Sequence, residues 1–190
     1  TLVGPGGVGK TRLAREFGRS LLGKGNASVW HCDLKNVGSE QGVSQKLCEV
    51  TGLRIAPGPD DELAQRVGDS LAGIGSILLI LDNVEHLVAQ VNRCLNAWLS
   101  RAPKVWIIIT SRQGLKRPEE TIVRINPLSE DDAVDLFIRR SQELSGHSST
   151  INPQSGNLRK LVNALDRLPL AIELAAGRTS VLSPTQMLER

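Results

Sequence analysis

The first eleven residues limit what this chain can fold into more than any other stretch. Thr1-Leu2-Val3 reads as a short strand. Gly4-Pro5-Gly6-Gly7-Val8-Gly9-Lys10-Thr11 follows, and then a segment with Leu13, Phe17 and Leu21 at a spacing of four, which predicts an amphipathic helix with that face buried. The eight-residue run satisfies G-x-x-x-x-G-K-[ST] in full. Each residue type has a chemical reason. The glycines let backbone N–H groups turn inward around phosphate oxygens. The helix that opens near Gly9 adds the positive end of its dipole, about half an elementary charge. Lys10 brings a mobile cation for β and γ oxygens, and the Thr11 hydroxyl is a hard ligand suited to Mg²⁺. Gly4 to Thr11, with Arg12 directly after them, are therefore the candidate nucleotide-binding residues.

The same glycines also satisfy G-x-G-x-x-G, at Gly4, Gly6 and Gly9. Asp33, at the end of the next predicted strand (Ser28 to Leu34), lies near the offset where a dinucleotide fold places its ribose-binding acid. A Rossmann oxidoreductase using NAD is thus a competing reading. Two features weigh against it. A Rossmann loop has no use for Lys10-Thr11 directly after the third glycine, and it does not predict the next motif. That motif is Leu78-Leu79-Ile80-Leu81-Asp82-Asn83, an aliphatic strand ending in an acid. A carboxylate at a strand's carboxyl end, beside a phosphate loop, can hold Mg²⁺ through water, whereas the bland reading of Asp82 is a cap on the following helix. Thr11 and Asp82 are the expected metal residues.

The rest of the chain supports a parallel α/β sheet. Helical spacing recurs over Glu40 to Val50, over Asp60 to Leu71 with Asp60-Asp61-Glu62 at its start, and over His86 to Leu99 with Leu87, Val91, Leu95 and Trp98 on one face. Pro57-Gly58-Pro59 reads as a loop between the first two of these. Ile77 to Leu81 and Val105 to Ile109 read as central strands covered on both faces, and Thr121 to Ile125 as a shorter one near an edge. Strands alternating with helices imply right-handed crossovers. After Pro127 only helical patterns follow. Ser129 with Asp132 reads as a capping box, acid variant, before Ala133, Leu136, Phe137 and Arg140. Ser145 to Asn152 is a polar loop, Asn157 to Leu165 and Leu168 to Ala176 are helical, and Ser183-Pro184 opens a last helix. The expected division is residues 1–126, an α/β core, and 127–190, a small helical subdomain.

Composition narrows the function classes. The 190 residues carry a net charge of +3, so a pI of about 9.0 is a weak pointer to nucleic acid, and aromatics at 3% with no Tyr leave little for base stacking. No direct nucleic-acid binding is expected. No apolar run approaches the 18 or so residues needed to span a bilayer, so no membrane association is expected. Three scattered cysteines in no metal spacing suggest free thiols in a reducing cytoplasm. The chain starts without Met inside an apolar run, which reads as a fragment lacking upstream residues.

Residues for hydrolysis are sparser. Asn83 cannot act as a base. Glu85 could orient a water, though an exposed acid in a first helical turn is the plainer reading. His86 reads as a surface or helix-end residue. Thr110-Ser111-Arg112 ends a strand where ligand crevices form, and Arg112 could reach a γ-phosphate as a fork of donors. Lys10, Asp82, Arg112 and Glu85 are the candidate catalytic residues.

The phosphate loop, Leu78 to Leu87, Ile109 to Arg112 and Leu165 to Ala176 occur in that order. Together they resemble the STAND signal-transduction ATPases of the NB-ARC type in their bacterial form, over residues 1 to about 178. The resemblance implies an ASCE-class P-loop NTPase fold with a sheet of about five strands ordered 5-1-4-3-2 and flanked by helices, followed by an ARC1-like helical subdomain. It implies ATP and ADP with Mg²⁺ as ligands, Arg112 as the sensor of the γ-phosphate, and Pro169 packed on the adenine ring. It also implies partners in flanking domains, an effector before this region and a winged-helix and sensor region after it, and homo-oligomers in the ATP state. Two positions depart from the family pattern. Arg167 stands where the family has Gly, and Asn83 stands where many relatives carry a second acid, which implies slow hydrolysis at most. A motor or loader ATPase of the broader AAA+ group, acting on DNA or protein, is the other ATPase reading.

Overall fold

The computed structural model describes residues 1–22, 28–55, 58–59, 62–145 and 155–189. Five parallel strands, β1 (Leu2–Val3), β2 (Ser28–Asp33), β3 (Ile77–Asp82), β4 (Val105–Ser111) and β5 (Val123–Arg124), form one sheet in the order β2-β3-β4-β1-β5. That is the order 5-1-4-3-2 read in reverse, and it makes the fold an α/β P-loop NTPase. The register sets Asp33 beside Asp82, and Leu2 and Val3 beside Thr110 and Ser111. The chain resolves into two compact units: Thr1–Gly4 with Lys10–Arg124, and Pro5–Gly9 with Ile125–Arg190.

In the first unit, β3 is the spine. Its six residues are all buried, as an unbroken aliphatic run predicts. Ile77, Leu79 and Leu81 face one core with Val43 and Leu47 of α2 (Glu40–Thr51), Val67 and Leu71 of α3 (Leu63–Ala72), and Val91, Leu95 and Trp98 of α4 (Val88–Arg101). Leu78 and Ile80 face the other side with Ala14 of α1 (Lys10–Leu22). Ser39 caps α2 by accepting the Gly42 N–H at 3.0 Å. Asp60 and Asp61, Gly23 to Asn26, Pro57 and most of the expected loop from Ser145 to Asn152 lie outside the described residues.

Three expectations are corrected. Leu13 and Phe17 are not buried; they are 48% and 49% exposed, and Ala14 and Gly18 face the sheet instead. The cause is the closeness of α1. A Cβ on Gly18 would come within 2.9 Å of Val29 Cγ1 and 3.1 Å of Ile80 Cδ1, so only small residues fit under the helix. Strand β4 is not covered on both faces, because Trp106 is 74% exposed. Residues 112–122, which join β4 to β5, contribute no helix to the face that Trp106 shares with Ile108. The helix expected from His86 begins at Val88, and Glu85 and His86 form a turn held by the Leu87 N–H to Val84 carbonyl bond at 2.8 Å.

Cys32 and Cys94 are buried, Cys48 is half-buried, and all three are free. Burial pushes the Cys32 thiol up to about 12 and the Cys94 thiol up to about 11, so both stay protonated and act as small apolar core residues.

The second unit holds α5 (Glu130–Ser145), α6 (Gly156–Ala164), α7 (Pro169–Ala176) and α8 (Pro184–Leu188). Ala133, Val134 and Phe137 of α5 meet Leu158, Leu161 and Val162 of α6 and Ile172 and Ala176 of α7. The Ser129 hydroxyl accepts the Asp132 N–H at 3.1 Å and donates to the Asp132 carboxylate at 2.6 Å, so Ser129 caps the helix while the carboxylate bonds the hydroxyl instead of the backbone N–H that a capping box would use. Ser183 and Gln186 form the full capping box at α8. Arg140 donates to the Glu173 carboxylate at 3.0 and 3.1 Å, tying α5 to α7.

Asp166 and Arg167 turn the chain from α6 into α7 with φ of 53° and 55°. The left-handed region costs a residue with a Cβ about 1–2 kcal/mol, and Arg lacks the short polar side chain that lets Asp offset it. The Arg167 side chain is exposed, while its backbone accepts the Leu128 N–H at 3.2 Å and donates to the Val162 carbonyl at 3.0 Å. Arg167→Gly is therefore expected to raise stability by about 0.5–1 kcal/mol in urea unfolding, the relief of strain exceeding the added freedom of the unfolded chain. A loss of stability would show that the side chain, not the backbone, holds this turn.

Candidate functional site

Asp82 is the centre of the first unit's polar edge. It ends an apolar strand, and the residue is only 2% exposed, so its carboxylate must find donors there. Its Oδ1 accepts the Thr11 hydroxyl from α1 at 2.7 Å and the Thr110 hydroxyl from β4. Its Oδ2 faces His31 Nε2 from β2 at 3.3 Å. Three neighbouring elements thus converge on one carboxylate.

The residues around it are fixed in turn. Asn83 takes a left-handed φ of 62°, which turns its N–H to the Thr110 hydroxyl at 3.1 Å and its amide Nδ2 to Asp33 Oδ1 at 2.9 Å. That amide, followed by the Lys35 N–H, holds the Asp33 carboxyl below its ordinary value against the opposing effect of burial. The Asp33 and Asn83 side chains therefore occupy each other, and Asn83 offers no base.

Lys10 opens α1 and donates to the Gly4 carbonyl at 2.8 Å. Burial pulls its ammonium below the usual lysine range; Glu85 and Asp82 pull back up, and Arg112 pushes down. The structure thus brings Asp82, Glu85 and Arg112 within electrostatic reach of Lys10. Arg112 Nε lies 3.4 Å from Glu85 Oε1, with the arginine side chain 69% exposed. Arg12, the third residue of α1, is exposed.

The remaining loop residues, Pro5 to Gly9, group with the helical unit. Gly7 and Gly9 have φ of 79° and 101°, values that side chains with a Cβ rarely adopt. Pro169 opens α7, and the next residue, Leu170, donates its N–H to the Gly7 carbonyl at 3.2 Å. A Cβ on Gly7 would sit 3.1 Å from Leu170 Cβ, so the loop and the start of α7 are in close contact.

The donor set fits Mg²⁺ and polyphosphate. A hydroxyl and a carboxylate oxygen lie 2.7 Å apart within electrostatic reach of a lysine. Among the described residues no three His, Cys, Asp or Glu side chains converge as a metal cage. Mg²⁺ needs none, since it takes one or two protein oxygens and completes its shell with phosphate and water.

Two residues at this edge escaped the sequence reading. In the sequence, Thr110 is visible only as part of a polar strand end. The only signal for His31 is a polar residue two positions before Asp33, hence on the same face of β2.

Comparison with known proteins bears on the same region. Residues 1–117 match the family described as AAA domain. An uncharacterized protein of Mycobacterium tuberculosis is 33% identical over 191 residues, covering 99% of this chain and 47% of the relative. A putative HTH-type transcriptional regulator of the same organism is 32% identical, covering 98% of this chain and 21% of the relative. The chain thus spans about half or less of the length of these relatives. Among solved structures, Cdc6p from Pyrobaculum aerophilum superimposes with a TM-score of 0.66 at 14% identity, over 99% of this chain and 55% of that one. A STAND protein with a tetratricopeptide repeat sensor from Pyrococcus horikoshii superimposes with a TM-score of 0.57 at 18% identity, over 92% of this chain and 26% of that one. These two likenesses are of fold.

Proposed function

The chain belongs to the AAA domain family, and on that premise we propose that it is an ATP- and ADP-binding module whose bound nucleotide sets its conformation, with slow hydrolysis at most. The observation that carries the reading is Asp82, buried at the end of β3 and bonded to the hydroxyl that follows the loop lysine. Mg²⁺, when bound, supplies charge neutralisation at the β and γ oxygens. The chain's own groups do the rest. Loop N–H groups and Lys10 would take the phosphates, Thr11 and Asp82 would hold the metal, and Pro169 would pack on the adenine ring. Arg112, released from Glu85, takes the γ-phosphate, and Glu85 is then free to orient a water. A ligand shifts a conformational equilibrium only by its differential affinity for the two states. The exchange of Glu85 for a γ-phosphate on Arg112 supplies such a difference between ATP and ADP. Asn83, already bonded to Asp33, gives no second acid and supports slow turnover.

The parent protein would join this module to sensing and output regions and assemble in the ATP state. The kinship with a putative transcriptional regulator and the fold of a STAND protein support that reading. The Cdc6p fold supports a second one, a loader ATPase acting on DNA. Amide hydrogen exchange with ADP, and with Mg²⁺ and a non-hydrolysable ATP analogue, tests the proposal. A switch predicts different protection of Leu170 to Ala176 and of Thr110 to Arg112 in the two states. Identical protection would remove the switch, and turnover stimulated several-fold by DNA would favour the loader.

A further inference from the structure

We propose that His31 is a positioning residue for the metal-facing carboxylate of Asp82; this rests on reading the edge of the sheet as a Mg²⁺-nucleotide site. The terminal torsion of a carboxylate is soft and two-fold, so burial alone does not fix which oxygen faces which neighbour. The two hydroxyls from Thr11 and Thr110 both fall on Oδ1. The side-chain partner that the structure gives Oδ2 is the imidazole of His31, at 3.3 Å. A carboxylate only accepts, so Nε2 carries the proton in this pair.

The position of His31 is dictated by the sheet. The register puts His31 beside Ile80 and Asp33 beside Asp82, so His31 and Asp82 are diagonal neighbours on the same face. The ring, 26% exposed at its side chain, reaches along that face to the outer oxygen. With Oδ2 held, Oδ1 stays turned toward the Thr11 hydroxyl, where the ion would sit. Hydrogen bonds that orient a metal-facing group change metal affinity about 10–100-fold. Neither the phosphate loop nor the aliphatic strand needs a histidine on β2, so folding into this architecture does not account for it.

The test is the Mg²⁺ dependence of nucleotide binding by the chain and two variants. His31→Phe keeps the ring's bulk and removes the donor, and His31→Gln restores a donor. The Mg²⁺ concentration giving half-maximal binding of an ATP analogue is expected to rise about tenfold or more in His31→Phe and to recover most of the way in His31→Gln. Binding of metal-free ADP in EDTA is expected to stay unchanged in both, which a merely structural role would not allow. Parent-like Mg²⁺ dependence in His31→Phe would overturn the proposal. So would an equal loss of metal-free ADP binding, and so would a His31→Phe that fails to fold alongside a folded His31→Gln that needs about tenfold more Mg²⁺ than the parent. A parent chain that takes up no nucleotide with or without Mg²⁺ would overturn the reading of the site itself, and is distinguishable from all of these.

Discussion

Lys10→Ala is expected to weaken binding of ADP and Mg-ATP about ten- to a hundredfold while the protein stays folded. A hydrogen bond to a charged group is worth about 1.5–3 kcal/mol, and each 1.4 kcal/mol is a factor of ten. Lys10 begins α1 and is partly exposed, with its ammonium on the Gly4 carbonyl. Burial and Arg112 together disfavour its charge, so an arriving polyphosphate meets a cation with electrostatic energy to gain. Alanine is a good helix former, and a partly exposed site of this kind costs within about 0.5 kcal/mol. Calorimetric titration with a thermal melt of the same sample checks both halves. Unchanged affinity would remove the loop from the binding site.

Trp98→Ala is expected to have the largest effect on stability, a loss of about 3–5 kcal/mol in urea unfolding. Trp98 lies in α4, is fully buried, and closes the core between β3, α2 and α3. That loss is a large share of the about 5–15 kcal/mol that holds an ordinary domain together, so the variant should be partly unfolded at 37 °C. Trp98→Phe separates packing from polarity. The indole Nε1 is buried without a hydrogen-bond partner among the described residues, so removing it relieves an unsatisfied donor. The phenylalanine variant should lose far less than the alanine one. Equal losses would mean that the shape of the indole, rather than buried apolar volume, holds this core.

What was legible in the sequence follows from range. Ile77 to Asp82 announced a central strand ending at a site, because an aliphatic run and a terminal acid are both local signals. Ser129 and Ser183 announced their helices through caps that act within three residues. The strand order came with the family resemblance, since five strands alone permit many orders. Leu13 and Phe17 were misread because periodicity shows which residues share a face but not how near the helix comes to the sheet. That distance is set by Gly18 against Val29 and Ile80. Trp106 was misread because coverage of its face depends on a link whose lack of a helix no local pattern reports. At the site, Lys10, Thr11 and Asp82 were visible as motif residues. His31 and Thr110 act only because β2 and β4 flank β3, a fact of spatial neighbourhood that linear spacing does not carry. The turn at Asp166 and Arg167 was visible only as a departure from the family's Gly, and the structure gives its physical content as two left-handed residues.

The loop from Gly4 to Thr11, with Asp82, is expected to hold an adenine nucleotide through Mg²⁺. Calorimetric titration of the folded chain with ADP and ATP, with Mg²⁺ and then with EDTA, tests it most directly. About one nucleotide per chain is expected, bound at least tenfold more weakly once Mg²⁺ is withdrawn. A folded chain that binds neither nucleotide at millimolar concentration, or binds both equally with and without Mg²⁺, would contradict it.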